Sequence, residues 1–394
     1  MYGYKPSSFS MSISMFNTLP SWIAHLVSGL GAQLTMDQHN MVASDRPIAG
    51  GSVTVNACDG CDQLLKKIFI PDLLARWPFP RLLNQHYSEV DAESSAWLES
   101  FKVLSPKAQQ AFDGYKCSLL ACLCYPNASK EHVRSACDLM IIFGFVDDNS
   151  DGLEEVEVRQ QKDIIMNALH HPYKPRPKGE WVGGEIVRQF WERTICNASA
   201  QSQKRFIATF GEFIEGIVQQ AMDRSGHHIR DIQSYFDVRR KTVAAGPSFV
   251  FLELGLDIPD EVISHPTIED MVVASTDMIA LANDVTSYNK EQACGDDSHN
   301  IVTIVMREFD TDVNGAMLWA TEHHTKLEKK YFEARAAIPK WGEPIDSQVR
   351  EYCDGLGNCV RANGEWAFEC ERYFGTNGLE VQRKKWMLLT PKDH

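Results

Sequence analysis

The stretch 141–154, IIFGFVDDNSDGLE, most narrows what this chain can fold into. An almost uncharged apolar run ends abruptly in Asp147, Asp148 and Asp151. Counting back from Asp147, Cys137, Met140, Phe143 and Gly144 recur at helical spacing on one side. Asp147 therefore extends the face turned to the interior, not the solvent face. Asp148 lies next to it, and Asp151 is one turn on. Carboxylates crowded at the buried end of a helix repel one another, and a hard cation shared between them relieves that repulsion. The stretch predicts a Mg²⁺ site opening into an apolar pocket; solvated acids at a helix end are the plainer alternative. Asp147, Asn149, Asp151 and Gly152 also match the start of a calcium loop, but at its twelfth position Val158 stands where a bidentate Glu is needed.

The chain is long enough, at 394 residues, to bury a large core. Its formal charge of −14 argues against a nucleic-acid partner, because phosphate binding needs a basic surface. A polyanionic substrate must then be met locally, by metal ions or a few placed Arg and Lys. The 11 Cys are an odd number scattered inside apolar helical patterns, which fits reduced thiols of a cytoplasmic protein better than a disulfide frame. Cys58-x-x-Cys61 has no second pair at zinc spacing. No apolar run is long enough for a membrane span, and the N-terminus lacks the charged start and cleavage site of a signal peptide. No obligate protein partner is evident.

Residues 1–60 are rich in Gly, Ser and Asn with poor periodicity. They read as a flexible N-terminal extension with at most one short helix over 22–30. The folded domain is expected over 65–390, entered through the turn-rich WPFPRLLNQHY at 77–87. From Asp91 the pattern is helical almost throughout, for example over 92–101, 107–122 and 131–146. Phe206, Phe210, Phe213, Ile217 and Ala221 form one apolar stripe. Strand signatures are nearly absent, and the Pro- and Lys-rich 170–184 reads as a connector. The expected fold is a single all-α domain.

A second constellation sits in the helical run 268–291. Asn283, Ser287 and Glu291 stand at i, i+4 and i+8, which puts an amide oxygen, a hydroxyl and a carboxylate on one face over about 12 Å. All three offer the hard oxygens Mg²⁺ prefers. Asn and Ser inside an otherwise apolar helix are weak helix formers and costly to bury unpaired. An exposed polar stripe is the alternative, and a second oxygen-rich helix in the same all-α chain weakens it.

Asp-Asp-x-x-Asp at 147–151 followed by Asn-Asp-x-x-Ser-x-x-Lys-Glu at 283–291 resembles the two metal-binding motifs of class I terpene synthases. The spacing of 136 residues from Asp147 to Asn283 is similar to that of microbial sesquiterpene cyclases. IPDLLARWPFPRLLNQHY, KPRPKGEWVGGE, DVTSYNKEQ and ERYFG look like the sesquiterpene synthases of mushroom-forming fungi, in the branch that includes Δ6-protoilludene synthases. The likeness covers about 65–390. It implies the class I terpenoid synthase fold, antiparallel helices around an apolar cavity, with three Mg²⁺ ions and farnesyl diphosphate as substrate. It also implies a cyclic C15 product, of the Δ6-protoilludene or another humulyl-derived skeleton.

The resemblance assigns the metal to Asp147, Asp151, Asn283, Ser287 and Glu291, with Asp147 as the principal bridging ligand and Asp148 and Asp151 in supporting or closure roles. It places a diphosphate-sensing Arg a little over forty residues before the second motif. Arg239, 44 before Asn283, is the first choice and Arg240 the second. Arg372-Tyr373 matches the family's Arg-Tyr pair in a helical pattern with Cys359, Asn363, Trp366 and Cys370, and Lys290 completes the cationic set. No nucleophile is required: the leaving diphosphate's growing charge is absorbed electrostatically. Aromatic faces stabilise a carbocation without attacking it. Phe143 is the first wall candidate; Phe249, Trp319, Trp366 and Phe368 are weaker, and plain core packing accounts for each as well.

There are two departures, and the smaller is that the first motif carries Asp148 where this branch often has Glu, a conservative change for a metal ligand. Related fungal enzymes are expected to continue Arg-Arg-x-Thr with Ser-Gly-Cys-Lys-Pro at a helix break, where this chain has Val243, Ala244, Ala245, Gly246 and Pro247. Either the break shifts toward Gly246 or the pocket is reshaped. Two alternatives follow: a catalytically impaired cyclase-fold scaffold, and a chain-elongating prenyltransferase, which would need a second Asp-rich motif in place of Asn283, Ser287 and Glu291.

Overall fold

The computed structural model describes residues 66–392. The 1–60 extension, its 22–30 helix and Cys58-x-x-Cys61 lie outside the described residues. Within them the chain is all-α. The first helices are α1 (Tyr87–Ser100), α2 (Pro106–Asp113), α3 (Cys117–Cys124), α4 (Lys130–Ser150) and α5 (Glu155–His170). Then come α6 (Gly183–Thr194), α7 (Ala200–Ser225), α8 (Ile232–Thr242), α9 (Ala245–Val250) and α10 (Asp260–Ile263). The last five are α11 (Pro266–Cys294), α12 (Ile301–Glu308), α13 (Val313–Ala336), α14 (Ile345–Glu369) and α15 (Gly378–Lys384). Strands β1 (Lys67–Phe69) and β2 (Trp386–Leu388) pair antiparallel, with Ile68 opposite Met387. This small sheet was not expected: three residues per strand are too few for an alternating pattern to register. None of the described helices is long and apolar enough to cross a membrane.

Local chemistry sets the helix boundaries. Ser129 caps α4 by accepting the His132 N–H, Ser199 caps α7, and Asp231 caps α8. Helix α11 starts with Pro266 in its first turn and ends at Gly295, whose φ of +76° a side chain would resist. The predicted helix over 107–122 is instead two helices, because Lys116 turns left-handed at φ 50° between them.

The phenylalanine stripe behaves as predicted. Phe206, Phe210 and Phe213 are all at most 3% exposed, and their rings pack on one another and on Phe190, Trp191 and Phe251. Helix α11 spans 29 residues, about 43 Å, and packs between α13 and α14; α4 packs against α1, α3 and α6. The lead-in segment is strapped onto α14. Arg361 donates to the carbonyls of Leu74, Trp77 and Phe79, and the Trp77 indole donates to Gly357 O at 2.9 Å. Both motif-bearing helices are thus long, buried along most of their length and braced on several sides.

The helix break keeps its place. Helix α8 ends at Thr242, and Ala244 takes φ 58°, ψ 18° before α9 begins. Gly246 lies inside α9 and has no positive φ. So the break has not shifted toward Gly246; alanine occupies the left-handed position itself, which costs an L-residue about 1 kcal/mol or more.

Candidate active site

The C-terminal end of α4 carries the first motif. Asp147 is half-exposed, with its side chain 50% accessible, and forms an ion pair with Arg372. Asp148 is more enclosed. The Tyr115 hydroxyl donates to its Oδ1 at 3.3 Å, and Arg372 Nη1 lies 3.7 Å from the same oxygen. Burial, then repulsion from Asp147, raises the Asp148 carboxyl to about 6 against the pull of Arg372. Asp151 leaves the helix in an extended conformation. Asp151 is exposed as a residue, yet the protein packed around its carboxyl, then Asp147 and Asp296, push it up to about 8. The turn is held by Arg224 of α7, which donates to Ser150 O and Leu153 O at 3.2 and 3.4 Å. Val158 is buried in α5, so the calcium-loop pattern has no twelfth ligand here either.

The second motif lies on α11. Asn283 is held on both sides: its Oδ1 accepts from Arg239 Nη2 at 2.6 Å, and its Nδ2 donates to the Tyr373 hydroxyl at 2.8 Å. Arg239 is anchored by Asp284, which is 2% exposed and also accepts from the Tyr235 hydroxyl and from the Ile301 N–H. Ser287 and Glu291 follow one and two turns on. Asn300, fully buried, donates to Glu291 Oε2 at 2.9 Å and reaches Ser287 Oγ at 3.4 Å. Burial, then the charge of Asp284, raises Glu291 to about 7. Lys290 is pushed down by burial, then by Arg372, while Asp148, Glu291 and Asp147 draw it up. It therefore feels both acidic motifs at once.

Two consecutive residues join the motifs. Arg372 pairs with Asp147 of α4, and Tyr373 accepts from Asn283 of α11. Both follow the end of α14 rather than continuing it, contrary to the predicted helical run through Cys370 and Tyr373. Cys370 is extended, and the chain is redirected by Glu371 N–H donating to Gly114 O at 2.8 Å and Lys116 Nζ to Glu369 O at 2.7 Å. The two arginines have different partners: Arg239 donates to Asn283 of the second motif, whereas Arg240 pairs with Asp277 at 2.7 Å.

The wall candidates separate. Phe143, one turn before Asp147, packs on Phe213 and Phe210 with centroids 5.0 and 6.0 Å apart. Trp366 donates its indole N–H to Tyr115 O and serves that turn. Trp319 stacks on His323 in a half-exposed group that includes Phe309, and Phe368 stacks on Phe374. Phe249 is buried in α9. A cavity of about 40 Å³ behind α11, lined by Leu74, Ala282, Val285 and Phe368 among others, is too small for a C15 chain and lies on the side of Ala282 and Thr286.

Among the described residues no three His, Cys, Asp or Glu side chains converge closely enough to grip a metal. The donor set nevertheless fits a hard cation. All its ligating atoms are oxygens, and Asp148, Asp151 and Glu291 are held above the ordinary carboxylate range by burial and like charge, which a divalent cation would relieve. Arg372 on Asp147 and Arg239 on Asn283 supply positive charge at the same oxygens. Sequence reasoning missed Tyr115, Asn300 and Asp296. Each comes from a turn whose place beside the motifs is set by packing, so no local pattern marks them.

Comparison with known proteins decides the family. Residues 138–330 match the model of terpene synthase family 2, C-terminal metal binding. A Δ6-protoilludene synthase of Stereum hirsutum is 58% identical over 327 residues, covering 83% of this chain and 89% of the relative. One from Armillaria gallica is 53% identical, covering 83% and 95%. The chain belongs to the fungal sesquiterpene synthases. Solved structures agree on the fold. Germacradien-4-ol synthase of Streptomyces citricolor superposes with a TM-score of 0.65 at 21% identity, over 74% of this chain and 96% of that one. A cucumene synthase variant does so with 0.67 at 19%, over 74% and 98%. In this family the match spans both oxygen-rich motifs, so the region described as metal binding is the one that carries Asp147 and Asn283.

Proposed function

We propose that this chain is a Mg²⁺-dependent sesquiterpene cyclase that ionises farnesyl diphosphate and closes the C15 chain to Δ6-protoilludene or another humulyl-derived skeleton. The observation that carries this reading is the Arg372–Tyr373 pair, which ties the two oxygen-rich motifs together at the point where a diphosphate would be held. High identity to Δ6-protoilludene synthases over most of the chain supports the substrate class and the first choice of product.

Asp147, Asp151, Asn283, Ser287 and Glu291 would hold the metal, three ions in the full complement. Bound there, the ions supply charge that stabilises the departing diphosphate. The chain's own cations do the rest. Arg372 and Arg239 leave Asp147 and Asn283 for diphosphate oxygens, gripping them with paired N–H donors, and Lys290 adds a point charge. Tyr373, freed from the Asn283 amide, donates its hydroxyl to the same group. The allylic C–O bond breaks with its electron pair going to the diphosphate oxygen. The resulting carbocation meets Phe143 and the neighbouring rings, which stabilise it without forming a bond. Cyclisation ends when a proton is lost to a base such as the released diphosphate. Drawing the motif helices together excludes water and prevents early quenching.

The test is incubation of the purified chain with farnesyl diphosphate and Mg²⁺, with the volatiles identified by gas chromatography–mass spectrometry. Cyclic C15 products that vanish with a chelator are expected. Only background farnesol, with geranyl and geranylgeranyl diphosphates also inert, would refute the proposal.

A further inference from the structure

Tyr115 lies outside both oxygen-rich motifs. It lies in the turn between α2 and α3, 3% exposed. The turn is fixed from the C-terminal side of the molecule: the Trp366 indole donates to Tyr115 O at 2.7 Å, and the Glu371 N–H donates to Gly114 O. The backbone of Tyr115 is thus fastened to the segment that ends in Arg372. Its ring lies under the Arg372 guanidinium, 4.4 Å from ring centre to Cζ, and its hydroxyl donates to Asp148. The ring of Phe112 packs against it from behind, with centroids 5.2 Å apart. One side chain therefore touches a cation expected on the diphosphate and an acid of the first motif.

From this placement we infer that Tyr115 is a positioning residue for diphosphate capture, acting through Arg372. A guanidinium has long, flexible attachment, and fixing its plane lowers the cost of aiming it at phosphate oxygens. The aromatic face does this without competing for the guanidinium N–H donors, which stay available first for Asp147 and then for diphosphate. The hydroxyl rests on Asp148, and the aiming of Arg372 falls to the ring. The inference rests on the proposed function, since it assumes that diphosphate is bound at this place.

Inorganic diphosphate binding in the presence of Mg²⁺, followed by calorimetry, tests it without turnover. Tyr115→Leu is expected to weaken binding about tenfold, and Tyr115→Phe, which keeps the ring, to stay within about twofold of the parent. In an Arg372→Gln background, Tyr115→Leu should cost almost nothing further, because the group it positions is gone. An unchanged Leu variant overturns the inference. So does a Phe variant as weak as Leu, or a Leu effect of the same size in both backgrounds. If the Leu variant does not unfold cooperatively, Tyr115→Met carries the same comparison. A parent that binds no diphosphate with Mg²⁺ would overturn the proposed function and this inference together; normal parent binding with an indifferent Leu variant sinks this inference alone.

Discussion

Two arginines expected to serve one ligand are about equally enclosed but differ in the burial of the acid each pairs with most closely. Arg239 pairs with Asp284, which is 2% exposed, whereas Arg372 pairs with Asp147, whose side chain is 50% accessible. Removing one partner of a buried pair leaves an uncompensated charge and costs about 3–5 kcal/mol, while an exposed partner is solvated by water. Arg239→Ala should therefore lose several kcal/mol in urea denaturation as well as turnover. Arg372→Ala should lose turnover with stability changed by about 1 kcal/mol or less; equal destabilisation would contradict the burial difference. The acids make a second prediction. Asp148, Glu291 and Asp151 have folded-state values of about 6, 7 and 8, above the ordinary carboxylate range. A raised value means protons are held more tightly folded than unfolded, so the stability they contribute is complete below about pH 4, the ordinary carboxylate value, and is lost as pH rises from there through about 8. Without metal, the melting temperature should fall across that window; with Mg²⁺ and diphosphate the fall should be abolished. A flat metal-free profile would mean these carboxylates do not crowd one another.

Between α8 and α9, one residue carries the strain of the break. Ala244 sits at φ 58° while Gly246, two residues on, is helical. Glycine pays no steric penalty at positive φ, so Ala244→Gly should stabilise by about 0.5–1 kcal/mol. A Cβ at Gly246 would meet the Thr209 side chain at 3.4 Å, an ordinary contact. Gly246→Ala should then be neutral or stabilising by up to about 1 kcal/mol, since glycine is unfavourable inside a helix. Denaturant midpoints for the two variants check this; strong destabilisation by Gly246→Ala would place the break at Gly246 after all. The turn at Lys116 teaches the same lesson. Nothing in the apolar pattern of 107–122 marks a left-handed residue, because the turn is selected by Lys116 reaching Glu369 O and by α14 packing on α3.

At the scale of the molecule the motifs are occupied by the protein's own cations: Arg372 on Asp147 and Arg239 on Asn283. Metal alone must displace these arginines from Asp147 and Asn283, and diphosphate alone must draw them away with no cation left to neutralise the carboxylates. Thermal stabilisation should therefore need both ligands together. At a hundredfold excess over Kd the gain is about 2.7 kcal/mol, with little from either ligand singly; a full shift with Mg²⁺ alone would refute this coupling. Much of this was legible beforehand. Helical periodicity marked α4, α7 and α11, and residue type and spacing put Asp147 on the first of these and Asn283, Ser287 and Glu291 along one face of the last, because a helix repeats every few residues and writes its faces into local order. The contacts that complete the site are not local. Tyr115 reaching Arg372, Asp284 anchoring Arg239, Asn300 holding Glu291, and the chain leaving α14 so that Arg372 and Tyr373 face different motifs all join residues brought together by packing alone. Local order was enough for the all-α class and the two oxygen-rich helix faces, and resemblance to the family supplied the expected cations Arg239, Lys290 and Arg372. Which cation meets which oxygen is set by packing, since it depends on burial and distance between segments whose separation along the chain carries no trace of their contact.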